Sequence, residues 1–95
     1  MDGVTFELFS TSFCGACAQT RASLDRVAGL VPAVRVAETD VAADPDRAEA
    51  AGIDATPTVI VRSATGEQVF RASGVPTVDQ LLQAAVLAMD GAATR

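Results

Sequence analysis

The sequence predicts a single α/β domain whose elements follow the order β-α-β-α-β-β-α. Short runs rich in β-branched and aromatic residues alternate with segments of helical periodicity, which is typical of this fold class. The last two β-rich runs flank a short turn that contains glycine, and this arrangement indicates an antiparallel hairpin. A chain of 95 residues, 49% of them hydrophobic, is long enough for one domain and too short for two.

The first half of the chain predicts two strands and two helices. Residues 4–9 (VTFELF) are β-rich and precede three polar residues, so they form the first strand. A helical pattern begins at the cysteines and ends near Gly29 and Pro32. Residues 34–38 predict the second strand. Residues 45–51 predict a short helix, because Pro45 suits a first turn and Gly52 suits an end.

The second half predicts a hairpin and a final helix. The β-rich residues 58–62 and 68–72 lie on either side of a turn at residues 64–66, so we expect two antiparallel strands. Thr77 is a candidate N-cap for the final helix. Apolar residues recur along that helix at amphipathic spacing, at Val78, Leu81, Leu82, Ala85, Val86 and Met89. Residues 1–95 therefore form one domain, with a core over 4–90 and a frayed tail over 91–95.

Composition and charge exclude several classes of function. The formal net charge of −5 repels phosphate backbones, so we expect no nucleic-acid partner. No apolar run approaches the roughly 20 residues of a membrane span, and the first two residues do not open a signal peptide. We therefore expect a cytoplasmic protein without membrane contact. Because histidine and lysine are absent, cysteine–histidine pairs and Schiff-base catalysis are excluded.

The chemistry-bearing motif is Cys14-Gly15-Ala16-Cys17, which holds both cysteines of the chain. The motif follows a strand and opens a helix, where two residues three apart share one face. Unpaired N–H groups and the positive end of the helix dipole favour a thiolate at Cys14, which is the predicted nucleophile. Cys17 would then resolve the mixed disulfide by attacking Cys14. We expect Phe13 to shield the pair from water.

Two other interpretations of the cysteines stay open at this point. A structural disulfide or plain core cysteines are common in small domains, but a bridge over two residues removes little entropy from the unfolded chain. A zinc or iron–sulfur site would need ligands from a second chain or from outside the protein, because two thiolates fill only half of a tetrahedral shell. We expect no metal and no bound cofactor.

The chain resembles the thioredoxin superfamily over roughly residues 4–89. The motif Gly-Ile-x-x-x-Pro-Thr at residues 52–58 follows the cysteine pair at the family's distance, with Pro57 standing 43 positions after Cys14. The resemblance implies a three-layer fold with a four-stranded mixed sheet, as in minimal members of the superfamily. It also implies a cis Thr56-Pro57 bond, with Thr56 pairing beside Cys14 with an extended substrate. Gly74 stands where the family keeps a glycine near the active site.

The chain departs from the family's pattern near the cysteines. Phe13 and Ala16 replace the usual tryptophan and proline, and Leu8 replaces a buried acid. Glu38 stands where the family carries lysine, and we take it as the candidate proton acceptor for Cys17, with a pKa raised by desolvation. The alternative is a solvated glutamate at a strand end, beside Arg35.

The resemblance implies a monomeric thiol–disulfide oxidoreductase that reduces protein disulfides through the Cys14–Cys17 cycle. A reductase or a low-molecular-weight thiol would recharge it. The first alternative is a glutaredoxin-like enzyme, although Ser12 and the single Gly74 supply neither the basic residue nor the glycine pair typical of glutaredoxins. The second alternative is a non-catalytic adapter with a structural disulfide, which would need no exposed reactive thiolate.

Overall fold

A four-stranded mixed sheet with helices on both faces organises the computed structural model, which describes residues 3–93. The elements are β1 (Val4–Ser10), α1 (Gly15–Leu30), β2 (Val34–Asp40), α2 (Pro45–Ala50), β3 (Thr58–Arg62), β4 (Gln68–Ser73) and α3 (Val78–Ala93). The predicted order and fold class are confirmed. Residues 91–93 continue α3 instead of belonging to a tail. Residues 94–95 lie outside the described residues, as do residues 1–2, on which the signal-peptide argument depends.

The strands lie in the order β2-β1-β3-β4. β1 pairs with β2 in parallel, and α1 forms the crossover between them, while the other neighbours are antiparallel. The predicted β3–β4 hairpin is confirmed. Its turn places Gly66 at a φ of 89°, a left-handed conformation that glycine adopts without steric cost.

The main core lies between one face of the sheet and the pair of helices α1 and α3. Alternate residues of β1 point into it, among them Phe6 and Leu8, and Leu24 and Val27 of α1 pack against them, all fully buried. Burial of this apolar surface is the principal stabilising term of the fold. None of the three helices within the described residues has the length and apolarity needed to cross a bilayer.

The predicted apolar stripe of α3 is only partly correct. Leu81 and Ala85 are buried, but Val86 and Met89 are 52% and 38% exposed. The helix instead buries two small residues, Ala84 and Ala88, so its contact stripe is rotated relative to the stripe of large apolar residues. Alanine side chains permit close approach of the helix to the core. A periodicity based on the large apolar residues does not reveal which alanines are buried.

The opposite face of the sheet is covered only in part, by the short helix α2. α2 has only six residues and buries Ala48, and the fully buried Phe9 and Ile60 lie on the same face of the sheet as Glu7. The part of the face that α2 leaves open is polar, with Thr5, Glu7 and Arg62 on adjacent strands. This division places an apolar core on one side and a charged surface on the other.

Candidate active site

The two cysteines lie at the N-terminus of α1, where Cys14 is the N-cap. Cys14 and Cys17 are joined by a disulfide, with their Cα atoms 5.1 Å apart. The backbone N–H of Cys17 donates a hydrogen bond of 3.1 Å to Sγ of Cys14. This N–H belongs to the first turn, whose donors have no partner within the helix. The same geometry offers a hydrogen-bond donor to a thiolate at Cys14 after reduction.

Burial distinguishes the two cysteines. Cys14 is partly exposed at the end of the helix, whereas Cys17 is fully buried one turn later. Cys14 is therefore accessible from solvent, whereas Cys17 is not. The residues between them impose little bulk, since Gly15 is exposed and a Cβ at that position would meet no atom within 4 Å. Ala16 accepts a hydrogen bond of 2.8 Å at its carbonyl from the buried Thr20 hydroxyl.

Phe13 does not shield the cysteines, so that expectation is wrong. Its side chain is fully exposed, with a relative accessibility of 106%. The residue has a φ of 56°, a left-handed conformation that is uncommon outside glycine. This conformation turns the chain sharply between β1 and α1, and the ring projects into solvent beside Cys14 instead of over it. The ring is therefore an exposed apolar side chain next to Cys14.

The segment that ends at Pro57 lies beside the cysteine loop. The Thr56-Pro57 peptide bond is cis, in agreement with the sequence prediction. The hydroxyls of Thr56 and Thr11 are 3.3 Å apart, which links this segment to the residues just before Cys14. β3 begins at Thr58, so the backbone N–H and C=O of Thr56 take no part in its strand pairing.

Gly74 is held next to Pro57. The N–H of Gly74 donates a hydrogen bond of 2.9 Å to the Pro57 carbonyl. Gly74 has a φ of 90°, which an L-residue adopts only with strain. The structure therefore brings the end of β4 to the Pro57 segment, as the sequence resemblance implied for Gly74.

A groove of about 240 Å³ opens next to Thr56. Its lining residues come from three separate loops and are Thr11, Val41, Ile53, Asp54, Ala55 and Thr56. Sequence reasoning identified only Thr56 among them. Thr11 and Asp54 stand 43 positions apart in the chain, and no local pattern indicates that they meet. The lining of the groove combines hydroxyls, an exposed carboxylate and apolar side chains.

The environment of Glu38 differs from the one that the sequence predicts. Its carboxylate accepts hydrogen bonds of 2.7 and 2.6 Å from Nε and Nη2 of Arg21, and one of 2.7 Å from the Ser10 hydroxyl. The hydrogen bond from Arg21 lowers the pKa of Glu38, with a further contribution from Ser10, so the predicted raised pKa is wrong. Its cationic partner is Arg21 instead of Arg35. No hydrogen bond joins Glu38 to Cys17 within the described residues.

A second charged cluster, centred on Glu7, was missed by sequence reasoning. Glu7 has a side chain only 7% exposed, and it accepts hydrogen bonds from Arg47, Arg62 and Thr39. Burial alone would raise the pKa of Glu7, but the hydrogen bonds from Arg47 and Arg62 outweigh it and leave the pKa below its ordinary value. This cluster faces away from the core that packs on α1 and α3.

The described residues contain no group of three or more cysteine, aspartate or glutamate side chains able to hold a metal ion.

Comparison with known proteins agrees with this geometry. A family model described as Thioredoxin matches residues 4–86. Chloroplastic thioredoxin z superposes with a TM-score of 0.82 at 23% identity, covering 94% of this chain and 80% of that one. A mutant thioredoxin from Halobacterium salinarum superposes with a TM-score of 0.80 at 26% identity, covering 88% of this chain and 73% of that one.

Mitochondrial thioredoxin 3 of Saccharomyces cerevisiae, in its oxidised form, gives a TM-score of 0.77 at 22% identity, covering 90% of this chain and 79% of that one. No curated protein matches the chain by sequence at a significant level.

Proposed function

We propose that this chain, which belongs to the thioredoxin family, reduces disulfide bonds in proteins through its Cys14–Cys17 pair. The general class of enzyme is that of the family, the thiol–disulfide oxidoreductases. The observation that carries the more specific proposal is the asymmetry of the pair. Cys14 is partly exposed and accepts an N–H hydrogen bond at a helix N-terminus, whereas Cys17 is buried one turn away. A purely structural disulfide would need neither property.

The reaction begins with the reduced protein. The Cys14 thiolate attacks one sulfur of the substrate disulfide, a mixed disulfide forms, and the other substrate sulfur leaves as a thiolate that takes up a proton. Cys17 then loses its proton and attacks Sγ of Cys14, which releases the second substrate sulfur. Two electrons pass to the substrate, and the protein is left with the Cys14–Cys17 disulfide that the structure contains.

Substrate docking is assigned to the surface around Cys14. The backbone of Thr56, which β3 does not use, would pair with an extended substrate segment. The exposed ring of Phe13 and the backbone at Gly15, Ala16 and Gly74 would flank that segment on its other sides. The groove beside Thr56 would accept a substrate side chain next to the disulfide.

The role of Glu38 as proton acceptor stays a proposal, in a form that its environment modifies. Glu38 is in register with Leu8 on β1, and therefore lies on the face of the sheet that packs against α1. Because Arg21 keeps the carboxylate charged, Glu38 is a weaker base than the sequence suggested. Its carboxylate, which accepts a hydrogen bond from the buried Ser10 hydroxyl, would take the Cys17 proton when resolution begins, while its negative charge would disfavour a Cys17 thiolate at rest.

We place the protein in the cytoplasm as a monomer. Its cycle needs a donor of electrons, and the cytosol keeps reductases and low-molecular-weight thiols in reduced form. The main core is built from residues of a single chain, which supports the proposal of a monomer.

Trapping experiments test this function. Cys17→Ser should accumulate mixed disulfides with its substrates, because Cys14 attacks and nothing releases it. Cys14→Ser is the matched control and should trap none. Turnover is measured as reduction of a protein disulfide by wild type, with either a thioredoxin reductase or glutathione as electron donor. The donor that supports turnover distinguishes a thioredoxin-like from a glutaredoxin-like enzyme. Equal trapping by both variants, or turnover that survives Cys14→Ser, would contradict the assignment of Cys14 as the nucleophile. No trapping by Cys17→Ser together with no turnover by wild type would contradict the proposal and favour an adapter.

A further inference from the structure

The open part of the sheet's second face holds a cleft of about 360 Å³. Its walls come from β1, β2, β3, α2 and the turn that follows β3, and the cysteines, Thr56 and Gly74 are not among its lining residues. The cleft therefore lies apart from the candidate active site. Its volume falls in the range of small-molecule sites.

The strand register places two arginines on either side of one hydroxyl. Thr5 of β1 pairs with Arg35 of β2 in parallel and with Arg62 of β3 in antiparallel register. Residues directly opposite one another on paired strands project from the same face of a sheet. With a strand spacing of about 4.8 Å, the two arginine Cα atoms stand roughly 10 Å apart. Two long guanidinium side chains at that separation can close on a single ligand above Thr5.

The arginines are available and partly preorganised. The hydrogen bond from Arg62 to the buried Glu7 uses Nη1 and does not engage Nε or Nη2. Arg35 is exposed and has no ion pair within residues 3–93. Gly3 lies close to Arg35, since a Cβ there would stand 3.4 Å from Arg35 Nε, so the lack of a side chain leaves the guanidinium room.

The charge of the cleft opposes that of the whole chain. Arg35, Arg47 and Arg62 line it with a single acid, Glu7, which leaves two net positive charges in a chain of formal net charge −5. Glu7 is itself engaged with two of these arginines and does not neutralise the third. Guanidinium groups bind phosphate oxygens through paired N–H donors, and hydroxyls add a neutral donor.

We propose that this cleft binds a small molecule bearing a phosphate group, held between Arg35 and Arg62 above Thr5. The negative charge of the rest of the chain repels a polyanion such as nucleic acid. A single phosphate group is small enough to enter the cleft and contact Arg35 and Arg62. This site is independent of the disulfide chemistry assigned to Cys14.

Titration with inorganic phosphate tests the site. Amide chemical shifts are followed by NMR at constant ionic strength, with chloride as the compensating anion. We expect saturable shifts confined to residues 3–7, 35, 62 and 63–66. Arg35→Ala should weaken phosphate binding at least tenfold, because a hydrogen bond to a charged group contributes about 1.5 kcal/mol or more and about 1.4 kcal/mol corresponds to tenfold.

Arg26→Ala is the matched control, since Arg26 is exposed on α1 and does not line the cleft. It should bind phosphate like wild type. Arg35 makes no ion pair in the described part of the chain, so its removal should leave the fold intact, which circular dichroism checks. Linear, unsaturated shifts, or equal weakening by the two variants, would overturn the proposal. Either result would be independent of whether the cysteine pair is active.

Discussion

The backbone N–H of Cys17 points at Sγ of Cys14 across 3.1 Å, so the predicted resolving residue also supplies a hydrogen bond to the predicted nucleophile. A side-chain substitution at Cys17 removes its sulfur but keeps this N–H. The stabilisation of a Cys14 thiolate is therefore separable from the resolving reaction. This separation is the reason that Cys17→Ser should still attack a substrate.

Alkylation of the reduced protein should show unequal thiols. Cys14 should react with iodoacetamide at a pH below that needed by a free thiol, whose pKa is about 8.5, because a thiolate there meets an N–H donor and the helix dipole. Cys17 is fully buried and should react only after unfolding. Mass spectrometry of digests across pH provides the measurement. Equal rates at both thiols would refute the assignment of the nucleophile.

Phe13→Ala should separate docking from stability. The side chain is fully exposed, so its loss should change the free energy of unfolding by less than about 0.5 kcal/mol. We expect KM for a protein disulfide to rise several-fold, while the rate with a small disulfide stays unchanged. Leu30→Ala, which removes another exposed apolar side chain, is the control. Unchanged KM in Phe13→Ala would exclude the ring from substrate contact.

Glu7→Gln should destabilise the protein by about 1–3 kcal/mol at pH 7, because two arginines and Thr39 lose a buried acceptor charge. The pKa of Glu7 is lowered in the folded state from an ordinary value of 4.5. Its contribution to stability is therefore complete above that pH and is lost as the pH falls through the lower folded pKa.

Urea unfolding of both proteins at several pH values measures the Glu7 effect. The difference between wild type and Glu7→Gln should shrink in acid. Glu49→Gln, at an exposed glutamate of α2, serves as the control and should have little effect at any pH. A difference that is constant from neutral to acid pH would show that the ionised carboxylate is not the source of the stability.

Glu38→Gln should change the pH profile of the resolving step. The Arg21 hydrogen bond lowers the pKa of Glu38, so the carboxylate is charged at neutral pH and its loss should remove an electrostatic influence on Cys17. Stopped-flow release from a Cys14 mixed disulfide gives the rate. Arg21→Ala is the companion variant, since it should raise the pKa of Glu38 and move the profile differently. Superimposable profiles in all three proteins would remove Glu38 from the mechanism.

Local patterns are sufficient for the element order and for the cysteine pair. The helix that starts at the cysteines and the hairpin around Gly66 depend on residues that are close along the chain, so periodicity and turn chemistry identify them. The cis bond before Pro57 is predicted only by the family resemblance, because most X-Pro bonds are trans.

The remaining features depend on contacts between distant residues. Glu7 meets Arg47 and Arg62 at separations of 40 and 55 positions, and no periodicity reports such pairs. Glu38 carries the lowered pKa because α1 places Arg21 over the end of β2, which a strand pattern does not show. The left-handed conformation of Phe13 likewise belongs to the connection between elements. Sequence patterns therefore identify the site but not its electrostatics.

The sheet order leaves β2 and β4 as edges, and their composition bears on how copies of this protein meet. An edge strand offers unpaired backbone groups to any other chain, and charged side chains are a usual defence against such pairing. β2 carries Arg35, Glu38 and Asp40, and β4 carries Arg71, whose guanidinium is fastened to the carbonyls of Ala51 and Gly52. Both edges thus carry charged side chains that oppose pairing with a strand of another copy.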